Sequence, residues 1–436
     1  MLVRWPGVQT AREQGRLPRR VKIGVSRRIK KGSAGGSSET MLYRKVPKTG
    51  DELSILGFGC MRLAQKYGRI DEETAIRHIR RAIDGGVNYF DTAWAYVGGQ
   101  SEPFLGRALA GGYRERVRLA TKLPSWNVRN RADMDRFLNA QLERLATRKI
   151  DYYLIHSLTG DIWDRLVPLG IADFLDQARR DGRIVNAGFS SHAGREDFKR
   201  IVDSYPWEFC TIQYNYLDTE TQAGTEGLRY AASKDLAVIV MEPLRGGTLA
   251  AAPPAAVESL WASAGRKRSP AEWALRWVWN HPEVTVALSG MNQDAQVEEN
   301  MATAAGAHPR SLTDAELELI GSVSRKYREI MKAGCTGCGY CQPCPSGVNI
   351  AECFSLFNTC HTFGRPREAE FLYAVRMGGI ISGRVSYASL CARCNECIPK
   401  CPQGLPIPDL LEEVASRFEG EGLEERVAFA RGLFEA

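Results

Sequence analysis

The sequence predicts an α/β protein, a parallel (β/α)8 barrel followed by a small, mainly α-helical domain rich in cysteine. Three observations predict it. Eight short apolar runs recur at 55–58, 87–90, 117–121, 150–155, 184–189, 209–212, 236–241 and 284–288. Most start 25 to 35 residues apart, room for one strand, one helix and two short loops. Ten of the twelve cysteines then fall between Cys335 and Cys401, beyond the last run.

Residues 1–40 hold ten Lys or Arg against Glu13 and Glu39 and lack hydrophobic periodicity. They read as a disordered basic arm, with Met41 as a candidate start; a transit peptide or an anion-binding arm is the alternative. Residues 43–53, with Lys48-Thr49-Gly50-Asp51 between short alternating segments, predict a hairpin. Ile76, Ile79 and Ile83 recur at helical spacing before Gly85-Gly86, a helix stop. Met134, Leu138, Leu142 and Leu145 repeat the pattern after Asp133, a candidate N-cap. The longer gap between the seventh and eighth runs contains Pro253-Pro254 and Gly265-Arg266-Lys267-Arg268, which predicts a mobile insertion. Residues 312–330, with Thr313 near the start, predict a final helix, so the barrel spans 41–330 and the cysteine domain, with a charged helical tail, 331–436.

Composition narrows the function classes. The 436-residue chain is 44% hydrophobic and 25% charged, ordinary for a globular protein, and no run approaches a membrane span. The net charge of +7 comes from the basic arm; the rest nets about −1, with no bias toward nucleic acid or anionic membrane. Clustered rather than dispersed cysteines predict a cytoplasmic protein with a local metal centre, not a disulfide scaffold.

Four polar residues stand at or just past strand ends. Asp91 closes the second run and Tyr96 follows five residues later; Lys122 closes the third run and His156 the fourth. A parallel barrel builds its active site at the carboxyl ends of its strands, so these are the candidate catalytic residues. A phenol donates its proton poorly near neutrality unless a cation lies beside it, and Lys122 is the predicted cation.

These residues belong to a series: Gly57-Phe58-Gly59, Asp91-Thr92-Ala93 with Tyr96, Ser101-Glu102 with Leu105-Gly106, Thr121-Lys122, Leu154-Ile155-His156, Gly188-Phe189-Ser190, Gln213-Tyr214-Asn215, Glu242-Pro243-Leu244 with Gly246-Gly247, and Glu299-Asn300. In this order the series resembles the aldo/keto reductase family over residues 41–330. The resemblance implies an NADP- or NAD-dependent oxidoreductase reducing a small-molecule carbonyl. Tyr96 would be general acid, Lys122 its cation, Asp91 the partner holding Lys122, and His156 the group orienting the substrate oxygen. It further implies that Ser190, Gln213 and Asn215 hold the nicotinamide end, with Met241 where relatives place a stacking aromatic ring. Leu244 and Gly246 would line the pyrophosphate, and Glu299 and Asn300 would meet the adenine. Gly290 and Gln296 stand where a 2′-phosphate is often held by Lys or Arg, so NADP is favoured by family habit alone. Trp94, Trp126 and Trp163 are candidate pocket walls.

Cys335, Cys338, Cys341 and Cys344 precede Pro345, and Cys391, Cys394, Cys397 and Cys401 precede Pro402. The second run has the C-x2-C-x2-C-x3-C-P spacing of bacterial ferredoxins, in which two runs exchange their fourth ligands between two clusters. That pattern predicts an iron–sulfur domain with two [4Fe-4S] clusters, one on Cys335, Cys338, Cys341 and Cys401, the other on Cys391, Cys394, Cys397 and Cys344. The first run is one residue short before its last cysteine, which leaves the exchange open, and zinc is the rival metal. Cys353 and Cys360 read as buried thiols. Two other functions compete with the reductase: an electron-transfer or redox-sensing protein, its barrel binding nucleotide or flavin and its clusters serving a redox partner, and a non-catalytic regulatory subunit.

Overall fold

Eight parallel strands close on one another in chain order: β1 (Leu56–Gly59), β2 (Tyr89–Asp91), β3 (Arg118–Leu123), β4 (Ile150–Ile155), β5 (Ile184–Ser191), β6 (Phe209–Gln213), β7 (Ala237–Met241) and β8 (Val284–Ser289), with β8 paired to β1. This computed structural model describes residues 40–435 apart from Tyr67, residues 363–364 and residues 381–382. The basic arm lies outside the described residues but for Thr40.

The strands are apolar because both faces are covered. Tyr89, Ala120, Tyr152, Leu154, Phe209, Ala237, Ile239 and Val286 fill the barrel interior, and a larger layer packs the outer faces against the helices. Val46 and Leu53, beside the antiparallel strands Tyr43–Lys45 and Glu52–Ser54, join the interior cluster, so the predicted hairpin closes the end opposite the carboxyl ends of the strands. Burying a side chain such as Leu53 stabilises by roughly 1.5–3 kcal/mol.

The helix Glu72–Asp84 is capped by the Asp71 side chain and ends at Gly85. The helix Arg131–Arg144 begins earlier than the candidate cap Asp133 implied. Asn130 is the N-cap, and Asp133 occupies the third helical position and bonds back to the Asn130 backbone in a capping box. The predicted mobile insertion is folded: the helix Ala255–Ala262 packs against Asp314–Ile330, and Arg268 pairs with Glu316 while lying over the Trp273 ring. Thr313 caps that last helix.

Beyond it, the helices Ile350–His361, Pro366–Met377 and Ile407–Phe418 bury their own core around Phe354, Phe357, Tyr373 and Leu411. Cys353 and Cys360 belong to this core as buried thiols. Of the loops carrying the other eight cysteines, residues 338–340 and 399–404 face the carboxyl ends of the barrel strands.

Candidate active site and cysteine centre

At the end of β3, the Lys122 Nζ donates to Asp91 Oδ1 at 2.6 Å, to the Thr92 carbonyl at 2.8 Å and to the Tyr96 hydroxyl at 3.3 Å. Lys122 and Asp91 are buried. The lysine is held from beneath: Gln141 donates to its carbonyl, and the buried carboxylate of Glu102 accepts from Gln141 and from Thr121. Ser101 bonds the Cys60 carbonyl and pairs with Thr92, fixing the loop that delivers Tyr96. His156, at the end of β4, faces the Tyr96 ring edge-on with centroids 6.1 Å apart. The four predicted catalytic residues are therefore brought together.

Burial governs their protonation. The Tyr96 phenol is pushed well above its ordinary value by desolvation, with the charge of Asp91 adding to it. The expected lowering by Lys122 does not dominate, because desolvation of the buried phenol is the largest influence on it. Burial also raises the Asp91 carboxyl, with Lys122 opposing, and Asp91 Oδ2 has no hydrogen-bond partner. His156 is held well below its ordinary value by burial and then by Lys122, so its imidazole is neutral.

Tyr96 and His156 line a cavity of about 1000 Å³ whose opposite wall belongs to the cysteine domain. Cys338, Gly339, Tyr340 and residues 399–404 form that wall. Tyr340 reaches His156 Nε2 and Ser157 Oγ, each at 3.3 Å. Sequence reasoning missed Tyr340; its one signal is a bulky phenol between two cysteines of a tight run. Of the three tryptophans, Trp126 lines the cavity 5.0 Å from the His156 ring. Trp94 packs on Phe137 beneath Arg144, and Trp163 packs on Trp207, away from it.

The residues matched to a nicotinamide cofactor are engaged by this chain itself. Gln213 donates to Asp218 at 2.9 Å and to Gln403 Oε1 at 3.2 Å, and accepts from Gln403 Nε2 at 2.7 Å. Asn215 donates to Asp218 and to the Glu242 carbonyl, and Ser190 Oγ accepts from the Ser157 backbone. Met241 is half-buried at the end of β7, against the interior cluster, and Leu244 packs on the outer core. A Cβ at Gly246 would lie 2.2 Å from the Thr336 carbonyl oxygen, so the chain entering the cysteine domain crosses this glycine directly. Arg62 and Arg245 bind that crossing segment at the carbonyls of Thr336 and Gly334. Glu299 accepts from Ser269, and Asn300 donates to Ser289.

The cysteines form two groups. Cys335, Cys338, Cys341 and Cys401 line one small cavity; Cys344, Cys391, Cys394 and Cys397 line another, with Cys341 at the shared wall. Burial pushes the Cys341 thiol up to about 12, and Cys335, Cys338 and Cys401 are the charges that add to it. For Cys397 the neighbours acting after burial are Cys391, Cys394 and Cys344. Among the described residues, no three His, Cys, Asp or Glu side chains converge to hold one metal ion.

A closed parallel barrel with Asp, Lys, Tyr and His at its strand ends, capped by paired cysteine runs, defines an oxidoreductase architecture joined to a ferredoxin-type module. The chain belongs to the aldo/keto reductase family: that family's model matches residues 55–324, and the model described as a 4Fe-4S dicluster domain matches residues 334–405. The chain is 32% identical over 224 residues to the aldo-keto reductase YhdN of Bacillus subtilis, a match covering 48% of this chain and 64% of that protein. It is 27% identical over 280 residues to L-galactose dehydrogenase of Arabidopsis thaliana, covering 59% and 86%. The barrel superposes on the aldo-keto reductase AKR11C1 of Bacillus halodurans, holo form, with a TM-score of 0.56 and 26% identity over 65% of this chain and 96% of that one. No helix among the described residues is long and apolar enough to cross a membrane.

Proposed function

We propose that this chain interconverts a small-molecule carbonyl and its alcohol, with Tyr96 as the general acid. The observation that carries the reading is the Asp91–Lys122–Tyr96 chain of contacts at 2.6 and 3.3 Å beside the cavity. In the direction of reduction, the carbonyl carbon takes up two electrons and a proton, a hydride equivalent, from an external reductant of the kind supplied in the test below, and the Tyr96 hydroxyl gives the second proton to the carbonyl oxygen as charge develops there. Lys122 stabilises the phenolate left behind, and Asp91 holds Lys122 in place. The neutral His156 imidazole orients the oxygen, and Tyr340 and Trp126 bound the substrate beside it.

The residues matched to a nicotinamide dinucleotide do not fit one in this arrangement, because Gln403 is bonded to Gln213 and Thr336 lies on Gly246. No step is therefore drawn through that cofactor. The donor type and the grouping of the cysteines around two cavities support two clusters: Cys335, Cys338, Cys341 and Cys401 would hold one, and Cys344, Cys391, Cys394 and Cys397 the other. Such clusters supply single electrons when bound. Cys394 is exposed, which favours a second reading in which that group exchanges electrons with a protein partner.

The test is a panel of aldehydes, ketones and alcohols with the anaerobically purified chain, supplied in parallel with NADPH, NADH and a reduced viologen. Tyr96→Phe should lower turnover of any substrate found by roughly 10²–10⁴-fold. Equal turnover by native and variant protein would remove Tyr96 from the chemistry.

A further inference from the structure

The pairing of Gln403 with Gln213 is reciprocal: each side-chain amide donates to the other's oxygen, at 2.7 and 3.2 Å, in a site where Gln213 is 1% exposed. Gln222 reinforces it, donating to Gln213 Oε1 at 3.1 Å and to the Pro402 carbonyl at 2.7 Å. A carboxamide is also what the nicotinamide end of a dinucleotide presents. The second contact lies on the neighbouring strand-end loop. Gly246 has a φ of +66°, and the Thr336 carbonyl lies where its Cβ would be, held also by the Arg62 guanidinium at 3.2 Å. Arg245 fixes the same segment, bonding the Gly334 carbonyl at 3.0 Å while paired in a buried salt bridge with Asp218 at 3.1 Å. Asp218 in turn binds Gln213 and Asn215. One connected polar network thus joins Gln213 and Asn215 to two points of the cysteine domain.

We infer that Gln403 is a built-in ligand of the barrel's carboxamide site, so that the docked cysteine domain excludes a nicotinamide dinucleotide from this groove. Gln403 and the segment around Thr336 are then determinants of cofactor specificity. A dinucleotide binds only the fraction of molecules in which residues 334–336 and 402–404 have left the barrel, and its apparent affinity falls by that fraction. The inference rests on the family positions matched to Gln213 and Gly246, not on the chemistry assigned to Tyr96. Tyr96→Phe leaves the experiment below unaffected, so the two readings fail separately.

The experiment is equilibrium dialysis of NADPH, and separately NADH, against the full cluster-loaded chain, native and with Gln403→Ala or Gln403→Glu. The alanine removes the carboxamide; the glutamate sets an acceptor oxygen against Gln213 Oε1 with little change of shape. Iron content verifies the cluster load of each protein. Either variant should bind at least about tenfold more tightly than native protein, as expected when a closed state competes with ligand. Saturating dinucleotide should also speed hydrogen exchange of residues 334–336 and 402–404. Equal affinity in all three proteins, including no binding in any, overturns the inference. So does binding that leaves exchange in both segments unchanged.

Discussion

Removing the ammonium of Lys122 while keeping its apolar volume, as in Lys122→Met, tests whether the lysine is the electrostatic centre of the site. The Lys122 and Asp91 side chains are 2% and 3% exposed, and their contact is 2.6 Å. Breaking a buried pair by removing one partner costs about 3–5 kcal/mol, because the remaining charge stays desolvated. Asp91 has little other support, since its Oδ2 lacks a partner and burial already raises its pKa against the pull of Lys122. In the variant that carboxyl should rise further and hold a proton. Its folded pKa then exceeds the unfolded value of about 4, so the variant's deficit is smallest in acid and grows as pH rises toward the new folded pKa. Adding Asp91→Asn removes the stranded charge and should recover a large part of the loss. The assay is urea unfolding of native, single and double variants at several pH values. A Lys122→Met loss below about 1 kcal/mol, or no recovery in the double variant, would refute the claim that the pair is dry and tightly coupled.

Further expectations concern separate parts of the molecule. His192 is held down to about 4 by burial, so below pH ~6.5 the unfolded chain takes up a proton that the folded chain does not. Its contribution to stability should fall by up to about 1.4 kcal/mol per pH unit between those values, and His192→Gln should flatten that slope in unfolding titrations. Gly246→Ala forces a side chain into both a left-handed backbone and the Thr336 carbonyl, and should cost about 1–3 kcal/mol or release the 334–336 segment, read by unfolding and by hydrogen exchange. Cys338→Ser should lower iron from about eight per chain to about four while sparing the cluster on Cys344, Cys391, Cys394 and Cys397, as metal analysis will show.

Much of the barrel and its candidate site was legible because both rest on local signals. Strand period, turn residues and strand-end polar groups all lie within short windows, and Asp91, Lys122 and His156 follow from them. The helix start at Asn130 was missed by three residues because Asn and Asp both cap well and the capping box uses one of each. That burial outweighs Lys122 at the Tyr96 phenol was not legible, because sequence shows which charges neighbour one another, not how completely the site excludes water. Tyr340 and Gln403 were not legible at all. They meet His156 and Gln213 across 184 and 190 residues, and no periodicity records a docking made at that separation.

The chain order of the cysteines connects docking to cluster assembly. Cys335, Cys338 and Cys341 lie at the start of the segment 334–405 matched by the dicluster model, whereas Cys401, which shares their cavity, lies near its end. The helices Ile350–His361 and Pro366–Met377 fall between them, so a cluster on this set would tie the two ends of that segment together. The same tie positions both contacts to the barrel, because Thr336 is one residue after Cys335 and Gln403 two residues after Cys401. The other group, on Cys344, Cys391, Cys394 and Cys397, touches neither contact. Loss of the first cluster should therefore loosen both the Gly246 and the Gln213 contacts at once, and loss of the second should leave them in place. Hydrogen exchange at 334–336 and 402–404 in Cys338→Ser and Cys394→Ser proteins separates the two cases. Equal exchange in both variants would mean that hydrogen bonding alone, without the cluster, holds the domain on the barrel.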